Sequence, residues 1–280
     1  MLFDQGKAYA PQEEKFFDDG REEELVHFIT KKTDLQNSPR KILAAIDEYA
    51  RTQKYLMNVG EDKGSIVTGI IRKRRPSIML ELGGYCGYST ILFAGEARAA
   101  GGKKYFSLER SPSFAANIKA LVEFAGLGEF VEVIVGSSNE SIQRLYDNGQ
   151  VKNIEMMFLD HYKPAYTTDL KLCEALGMIS KDTVLAADNV IAPGNPPYLK
   201  YVRSSVQEKR KALTETLERP KDTESFGLRS AAQYGSVEEL SAEAKGDPDL
   251  VYKSELVNSF EPSGVPDGVE ITWCLGKSEE

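Results

Sequence analysis

The sequence lacks the features of a secreted, membrane-spanning or disulfide-stabilised protein. It has three cysteines, Cys86, Cys173 and Cys274, and no CxxC pair, so neither a disulfide framework nor a zinc site is indicated. No apolar run approaches the roughly 18 residues that a membrane span needs. Residues 1–20 are acidic and contain no apolar signal-peptide core. These absences predict a cytoplasmic protein, in a reducing compartment, with no membrane partner.

An excess of positive charge is also missing. The formal net charge is −8 and the isoelectric point is near 5.1, whereas neutralising nucleic-acid phosphates needs a basic face. We therefore expect no nucleic-acid partner. With 280 residues, 41% of them hydrophobic, the chain is long enough to bury a full core without disulfide or metal staples.

Short apolar runs alternate with helical patterns through the middle of the chain. Such alternation is typical of an α/β fold with a doubly wound, mostly parallel sheet and helices on both faces. Residues 1–20 are predicted to be a flexible tail, and residues from about 205 to 250 a surface insertion rich in Glu, Lys, Ser and Ala. Two last apolar runs are expected to close the sheet as an antiparallel pair. The predicted helices are 21–30, one from Ser38-Pro39, one after Gly64, 90–100, 112–125, 139–147, 167–177 and 196–210, and the predicted strands are 77–81, 104–108, 130–135, 154–159, 182–187, 251–260 and 269–275.

The first strand and the helix after it are joined by a glycine-rich turn. The run ending in Glu81 is followed by Gly83, Gly84 and Gly87. Glycine lets the backbone approach a ligand closely, and a helix start offers unpaired N–H groups to a carboxylate or phosphate. The pattern favours a nucleotide-binding turn, although a tight turn without a ligand has the same sequence.

Glu109 ends the second strand, 22 residues beyond Gly87. An acidic residue about 20 residues after the glycine turn is where such folds bind two ribose hydroxyls. A solvated charge at a strand end is the alternative interpretation. Together the glycine turn and the acid predict a cofactor that contains adenosine, without identifying it.

Two later strands end in oxygen-bearing side chains. Asp160 follows one strand, and Asp188 and Asn189 follow the next, 28 residues later. Ligands of open α/β sheets bind at the carboxyl ends of strands, and two carboxylates with an amide oxygen suit Mg²⁺. Two independent strand-end caps are the alternative. Lys163 would lie beside the cation, where positive charge favours a neutral amine able to act as a general base, although a surface lysine is the default there.

Four segments of the sequence resemble those of catechol O-methyltransferase, a magnesium-dependent family that uses S-adenosylmethionine. They are MNVGEDKG, LELGGYCGYS, FLDHYK and LAADNVIAPG, in that order. The resemblance runs from about residue 24 to residue 203, skips the predicted insertion, and resumes from about 255 to 276. It implies a Rossmann-like class I methyltransferase fold, with residues 21–280 as a single methyltransferase domain.

The resemblance also implies roles for individual residues. Asp160, Asp188 and Asn189 match the magnesium ligands, and Lys163 matches the general base. Asn189 also faces the substrate, and Glu261 matches a carboxylate that accepts a hydrogen bond from the second catechol hydroxyl. The positions that match the cofactor pocket are Met57, Val59, Glu81, Gly83, Tyr85 and Ser89 around the methionine end, Glu109 and its neighbour Arg110 at the ribose, Ser138 and Asn139 beside the adenine, and Asp160 and His161.

The sequence departs from the family pattern near the substrate and the ribose. Tyr55 and Tyr162 occupy the positions of the family's tryptophan gatekeepers, and Arg110 replaces an apolar residue beside the ribose acid. His161 is equally compatible with a plain loop residue. The two tyrosines, the tail and the insertion concern the identity of the substrate, whereas the residues that match the metal and cofactor sites are all present.

The combined features predict Mg²⁺-dependent transfer of a methyl group from S-adenosylmethionine to one hydroxyl of a catechol, a small-molecule substrate. One alternative is methylation of a larger vicinal-diol phenol, such as a phenylpropanoid ester, by a similar metal set. Another is a nicotinamide-dependent oxidoreductase, which would have no use for Asp160 together with Asp188 and Asn189. A third is a non-enzymatic scaffold descended from a methyltransferase. We expect a monomer or a weak homo-oligomer.

Overall fold

The described residues are built around one mixed sheet of seven strands. A computed structural model describes residues 2–12, 19–214 and 244–279. Five strands are parallel, and a C-terminal hairpin adds two antiparallel ones, which confirms the predicted fold class. The strands are β1 (Ile78–Leu82), β2 (Lys104–Glu109), β3 (Val131–Val135), β4 (Met156–Leu159), β5 (Val184–Ala187), β6 (Leu250–Phe260) and β7 (Pro266–Lys277), in the order β3-β2-β1-β4-β5-β7-β6.

Helices cover both faces of this sheet and bury its strands. Alternate residues of β4 enter different cores: Phe158 packs in the core shared with the N-terminal helices, and Leu159 packs in the opposite one. Burial on both faces explains the short, continuous apolar runs of the sequence. The described helices are α1 (Arg21–Thr30), α2 (Pro39–Thr52), α3 (Gly60–Arg74), α4 (Tyr88–Ala99), α5 (Pro112–Phe124), α6 (Ser138–Asp147), α7 (Ala165–Ala175), α8 (Pro196–Arg203) and α9 (Val206–Thr214).

The chain reverses its direction of travel across the sheet at β1. This strand pairs with β2 on one side and with β4 on the other, because the chain adds β2 and β3 outward before returning to β4. In open α/β sheets, ligands bind beside the carboxyl ends of the strands at such a switch point. The glycine turn after β1 and Asp160 after β4 therefore share one end of the sheet.

Helix α3 begins earlier than predicted. It starts at Gly60 rather than after Gly64, so the predicted start was wrong by one turn. Glu61 and Asp62 lie in its first turn, where carboxylates interact favourably with the helix dipole. The earlier start places Lys63 on the helix instead of in a loop.

The predicted helix 196–210 is two helices, α8 and α9. Ser204 between them is extended, with φ −73° and ψ 142°. Ser205 and Glu208 then form a capping box: the Ser205 hydroxyl accepts from the Glu208 N–H at 3.2 Å, and a Glu208 carboxylate oxygen accepts from the Ser205 N–H at 2.8 Å. This reciprocal cap favours a new helix start over continuation of α8.

The C-terminal hairpin has a shorter turn than predicted. The pairing of β6 with β7 extends to Phe260 and Pro266, so residues 266–268, expected in the turn, belong to β7. The chain reverses within residues 261–265, where the Glu261 N–H donates to the Val265 carbonyl at 2.8 Å. Of the predicted insertion, α9 and residues 244–249 are described, and residues 215–243 lie outside the described residues. The other predicted bounds are within two residues of those observed.

Residues 2–12, part of the predicted flexible tail, contact the rest of the protein. They contain a short 3₁₀ helix, Gln5–Lys7, and Tyr9 is only 6% exposed. Whether residues 1–20 are flexible stays a prediction. Within residues 2–12, 19–214 and 244–279, we find no helix that combines the length and the apolar content of a bilayer crossing.

Candidate active site

A cleft opens at the carboxyl ends of β1, β4 and β5. Its empty volume is about 510 Å³. It lies at the switch point of the sheet, where the fold favours a ligand site. The residues that line it are Met57, Asn58, Val59, Gly83, Gly84, Tyr85, Tyr88, Ser89, Asp160, Lys163, Asp188, Asn189 and Glu261.

The glycine turn packs against the end of β4 without space for side chains. Gly83 has φ 88°, and a Cβ atom there would lie 2.5 Å from the Asp160 carbonyl oxygen. A Cβ atom on Gly84 would lie 2.7 Å from Ile118 and 2.8 Å from the Ser107 hydroxyl. Only glycine allows this turn and the Asp160 backbone to approach so closely, which leaves the cleft open above the turn.

Glu109 is tied to the same turn. One of its oxygens accepts hydrogen bonds from the N–H groups of Gly84, at 3.2 Å, and Tyr85, at 3.0 Å, and the other accepts from the Ser111 N–H at 2.8 Å. The acid is 8% exposed. Its carboxylate is therefore fixed directly behind the turn that lines the cleft, a placement suited to accepting from ribose hydroxyls.

Glu81 lies below the cleft rather than in its wall. Its carboxylate accepts from the hydroxyls of Thr90, at 2.5 Å, and Ser107, at 2.7 Å, and is closed to solvent. Burial raises the pKa of Glu81 to about 7, against the opposing effect of the hydrogen bonds from Ser89, Thr90 and Ser107. Glu81 thus supports Ser89, which does line the cleft.

Lys163 lies at the centre of the oxygen-rich end of the cleft. Its ammonium donates to Asp160 Oδ1 at 3.0 Å, to Asn189 Oδ1 at 2.8 Å and to the Tyr166 hydroxyl at 2.7 Å. Asn189 reaches this point because it adopts a left-handed backbone conformation, with φ 57°. Oxygens from the ends of two neighbouring strands therefore converge on one cationic group.

A second lysine, Lys63 of α3, is buried beside the first. It donates to Asp188 Oδ2 at 2.9 Å, to Glu261 Oε1 at 2.8 Å and to Asp267 Oδ2 at 2.9 Å. Burial raises the pKa of Asp188 to about 6 and that of Glu261 to about 8, although Lys63 opposes both shifts. Burial also disfavours the charge on Lys63 itself, but the carboxylates outweigh it and raise the lysine's pKa. Neither Lys63 nor Asp267 was among the predicted site residues, although Lys63 lies within the MNVGEDKG segment.

Negatively charged side chains outnumber positively charged ones at this end of the cleft, which favours binding of a divalent cation. Four carboxylates, those of Asp160, Asp188, Glu261 and Asp267, face two lysines, so full ionisation leaves an excess of two negative charges. Within the described ranges, no three His, Cys, Asp or Glu side chains form a group that could hold a metal. The predicted set instead combines two carboxylates with the Asn189 amide oxygen, which are hard oxygen donors that suit Mg²⁺. The residues therefore fit the predicted metal in donor type, and the four carboxylates, when all are ionised, match its charge.

The predicted cofactor residues divide into two groups. Met57, Val59, Gly83, Tyr85, Ser89 and Asp160 line the cleft, whereas Glu81, Glu109, Arg110, Ser138, Asn139 and His161 do not. His161 faces α7, where its Nε2 lies 2.9 Å from Asp169 and its ring stacks on Tyr166. Asn139 lines a separate surface groove with α6 residues. Cofactor contacts for the second group stay predictions.

The two tyrosines at the gatekeeper positions lie outside the wall of the cleft. Tyr55 is 6% exposed, and its carbonyl accepts from the Arg21 guanidinium at 2.7 Å. Tyr162 is half-buried. Met57, by contrast, is 40% exposed and lines the cleft. Met57 is therefore an apolar side chain already placed at the cleft opening.

The fold and the sequence both match methyltransferases. A family model described as a methyltransferase domain matches residues 80–190, from β1 to the turn after β5. Among solved structures, the O-methyltransferase TomG of Streptomyces achromogenes, in complex with S-adenosylmethionine, has a TM-score of 0.54 at 21% identity, covering 93% of this chain and 100% of that chain. At this identity the likeness concerns the fold alone.

Curated relatives give the closer sequence match. The catechol O-methyltransferase of Bos taurus is 42% identical over 167 residues, 60% of this chain and 61% of the relative. The match thus spans about three fifths of the bovine protein. The catechol O-methyltransferase of Sus scrofa is 43% identical over 147 residues, 52% of this chain and 78% of the relative. With more than three quarters of the pig protein matched at this identity, the chain belongs to the catechol O-methyltransferase family.

Proposed function

We propose that this protein transfers a methyl group from S-adenosylmethionine to one hydroxyl of a catechol, with Mg²⁺ as the metal. One observation carries the proposal: Asp160 and Asn189 direct oxygens to one cationic group, at 3.0 and 2.8 Å, at the edge of the glycine-turn cleft. A nicotinamide-dependent oxidoreductase would use the turn but has no role for this oxygen set. Membership of the catechol O-methyltransferase family supports the same choice.

Asp160, Asp188 and Asn189 are the residues that would hold Mg²⁺. Bound there, the cation supplies stabilisation of a phenolate, which a phenol with a pKa near 10 needs close to neutral pH. S-adenosylmethionine supplies a methyl group on a positively charged sulfur. Met57, Val59, Tyr85 and Ser89 line the part of the cleft that we assign to the methionine end of this cofactor.

Lys163 is the residue placed to take the phenol proton. Its Nζ is held by Asn189 and by the Tyr166 hydroxyl, at 2.8 and 2.7 Å, so the amine is fixed at the cleft rather than free to sample solvent. A neutral Lys163 amine, the form that a neighbouring cation favours, would accept the phenol proton as the substrate O–H bond breaks. The methyl carbon would then pass from sulfur to the phenolate oxygen: the sulfur–carbon bond breaks as the oxygen–carbon bond forms, and S-adenosylhomocysteine leaves. Holding the base at a fixed point supplies the near-attack geometry that such transfers depend on.

Asn189 links the base to a second acid. Its Oδ1 accepts from Lys163, and its Nδ2 donates to Glu261 Oε1 at 2.5 Å. Lys163 and Glu261 are therefore held at the two ends of one amide group. We infer that they contact the two neighbouring oxygens of a catechol. Lys163 lies at the oxygen that is methylated, and Glu261 accepts a hydrogen bond from the other hydroxyl.

The proposal is tested by methyl transfer to a panel of phenols with and without Mg²⁺. We expect labelled methyl groups from S-adenosylmethionine to reach catechols, with little transfer to monophenols of the same size and none after chelation of divalent ions. A preference for bulky vicinal-diol esters would reassign the substrate. Full activity without divalent ions, or binding of a nicotinamide cofactor in place of S-adenosylhomocysteine, would refute the proposal.

We also propose a cytoplasmic location. All three cysteines are free and buried in the described structure. Free thiols are typical of proteins in reducing compartments. Measuring the location of the tagged full-length protein tests this assignment.

A further inference from the structure

Residues 2–12, which we call the N-terminal segment, are anchored by Tyr9. The Tyr9 hydroxyl donates to Asp47 of α2 at 2.5 Å and lies 3.3 Å from Asn58 Oδ1. The next residue is also fixed, because the Ala10 N–H donates to the Ala50 carbonyl at 3.2 Å. The segment is therefore attached to α2 by a buried side chain and a backbone bond.

The other side of the N-terminal segment holds the hairpin turn that carries Glu261. The Tyr9 N–H donates to the Pro262 carbonyl at 2.9 Å. The Phe3 and Phe260 rings lie 5.6 Å apart, and a Cβ atom on Gly264 would lie 2.9 Å from the Phe3 ring. The turn therefore has the N-terminal segment against its outer side.

The side chains of this turn alternate between the segment and the cleft. Phe260 and Pro262 line a groove together with Phe3 and Tyr9, whereas Glu261 between them lines the cleft. A displacement of the turn away from the segment would thus carry the Glu261 carboxylate away from Lys63 and Asn189.

The same contacts extend to the loop at the cofactor end of the cleft. Pro262 packs on Gly60 so closely that a Cβ atom there would lie 2.4 Å from its ring. Asn58, next to Tyr9, lines the cleft, and its Oδ1 accepts from the Gly60 N–H at 3.0 Å. Tyr9, Pro262, Gly60 and Asn58 therefore form one continuous packed layer behind the two loops that close the cleft.

We propose that the N-terminal segment is a positioning element of the active site, which fixes Glu261 against the bound substrate and thereby decides which of two neighbouring hydroxyls is methylated. This inference rests on the proposed catechol O-methyltransferase function. The segment touches no reacting atom. It acts through the turn of residues 261–265, whose place it determines by packing.

The test compares Tyr9→Ala with the wild-type protein in the full chain. Tyr252→Ala is the matched control, because the Tyr252 hydroxyl also donates to a carboxylate at 2.5 Å, that of Glu174, at the opposite end of β6 from Phe260. Three quantities are measured: the ratio of the two monomethylated products of an unsymmetrical catechol, its KM, and the Kd of S-adenosylhomocysteine. Amide hydrogen exchange of residues 258–266 is followed in parallel.

We expect Tyr9→Ala to change the product ratio by roughly threefold or more and to raise the catechol KM, because a small displacement of a positioning group has large kinetic effects. Exchange at residues 258–266 should accelerate. Because Tyr9 also contacts Asn58 at the cofactor end of the cleft, the product ratio is measured at saturating S-adenosylmethionine, where its change should persist whatever the Kd of S-adenosylhomocysteine. Tyr252→Ala should leave the ratio and this exchange unchanged even if it lowers the melting temperature. A folded Tyr9→Ala variant with the wild-type ratio and exchange would overturn the proposal.

Two further outcomes remain decisive. If Tyr9→Ala does not fold, Phe3→Ala is used instead, because it removes a smaller contact with the same turn. It should give smaller changes of the same kind. A Phe3→Ala variant with the wild-type product ratio and the wild-type exchange would overturn the proposal. If the wild-type protein methylates no catechol, the proposed function fails, and the exchange comparison by itself decides whether the N-terminal segment holds the turn.

Discussion

The Nζ atom of Lys63 lies 2.7 Å from Asp188 Oδ1, and the two side chains are 0% and 2% exposed. A lysine from the first turn of α3 thus supports a carboxylate that follows β5, 125 residues later. The same ammonium contacts Glu261 and Asp267 of the hairpin. Lys63 therefore joins three distant parts of the chain at the predicted metal end of the cleft.

Replacing Lys63 should lower the stability of the folded protein. Lys63→Met leaves three buried carboxylates without their shared ammonium, and we expect a loss of about 3–5 kcal/mol in the free energy of unfolding at pH 8. The loss should shrink at pH 5, where protonation of Asp188 and Glu261 removes charge, and should also shrink at high Mg²⁺. Denaturant unfolding at both pH values measures it.

Lys54→Met is the matched control for this prediction. Lys54 also contacts two carboxylates, those of Glu24 at 2.9 Å and Asp19 at 3.8 Å, but its side chain is 34% exposed. Solvent screens such exposed ion pairs, so we expect Lys54→Met to change the free energy of unfolding by no more than about 1 kcal/mol. Equal losses for both variants would show that burial of the Lys63 cluster has no special effect.

Lys163→Ala should remove the general base while leaving the cofactor site intact. We expect kcat to fall on the order of 10²- to 10⁴-fold, with S-adenosylhomocysteine affinity within about threefold of the wild type. Lys152→Ala is the control, because Lys152 likewise lies over a tyrosine ring, that of Tyr146, but far from the cleft lining. Steady-state kinetics and calorimetry measure both quantities, and unchanged turnover of Lys163→Ala would exclude the role of base.

The convergence of Asp160 with Asp188 and Asn189 could be predicted because it depends on strand order alone. Alternating strands and helices imply that β4 and β5 are parallel neighbours, and Leu159 indeed pairs with Ala187, one residue before each acid. Lys63 could not be placed in this way. Its partners lie 125, 198 and 204 residues away, and a lysine in a first helical turn has no local pattern that distinguishes a buried from a solvated side chain.

Two other differences had local causes that the sequence does contain. The break between α8 and α9 coincides with a Ser-x-x-Glu capping box at Ser205 and Glu208. The hairpin turn was predicted to be three residues too long because Pro266, Asp267 and Gly268 are typical turn residues. Tertiary contacts hold these residues in β7 instead: Asp267 accepts hydrogen bonds from the Ile191 and Ala192 N–H groups and from Lys63.

Glu81→Gln should alter how stability depends on pH. Burial raises the pKa of Glu81 to about 7 from its ordinary 4.5, so the folded protein binds a proton that the unfolded chain loses between these pH values. Stability therefore falls as pH rises through this window, by at most about 3 kcal/mol. Glutamine keeps an acceptor for Thr90 and Ser107 but cannot ionise.

The stability of Glu81→Gln relative to the wild type should thus increase from pH 4.5 to pH 8. Glu255→Gln, at an exposed position on β6, is the control and should show no such trend. Thermal unfolding at four pH values between 4.5 and 8 measures both. A constant difference between wild type and Glu81→Gln across this range would contradict the raised pKa.

Glu109→Gln should weaken cofactor binding without impairing the methyl transfer step. Both Glu109 oxygens accept backbone hydrogen bonds, from Gly84 and Tyr85 on one side and from Ser111 on the other. Glutamine has one acceptor oxygen, so it loses at least one of these bonds and the charge that would accept from ribose hydroxyls. Hydrogen bonds to charged groups contribute about 1.5–3 kcal/mol, which corresponds to a Kd for S-adenosylhomocysteine raised roughly 10- to 100-fold.

The control for Glu109→Gln is Glu132→Gln on the neighbouring strand β3, where the glutamate is 38% exposed and bonds to surface side chains. It should bind S-adenosylhomocysteine like the wild type. At saturating S-adenosylmethionine, kcat of Glu109→Gln should stay within about threefold of the wild type, because Lys163, Asp160 and Asn189 are untouched. Calorimetry and steady-state kinetics separate the two effects. A fall in kcat with unchanged cofactor affinity would instead assign Glu109 to holding the glycine turn in its reactive conformation.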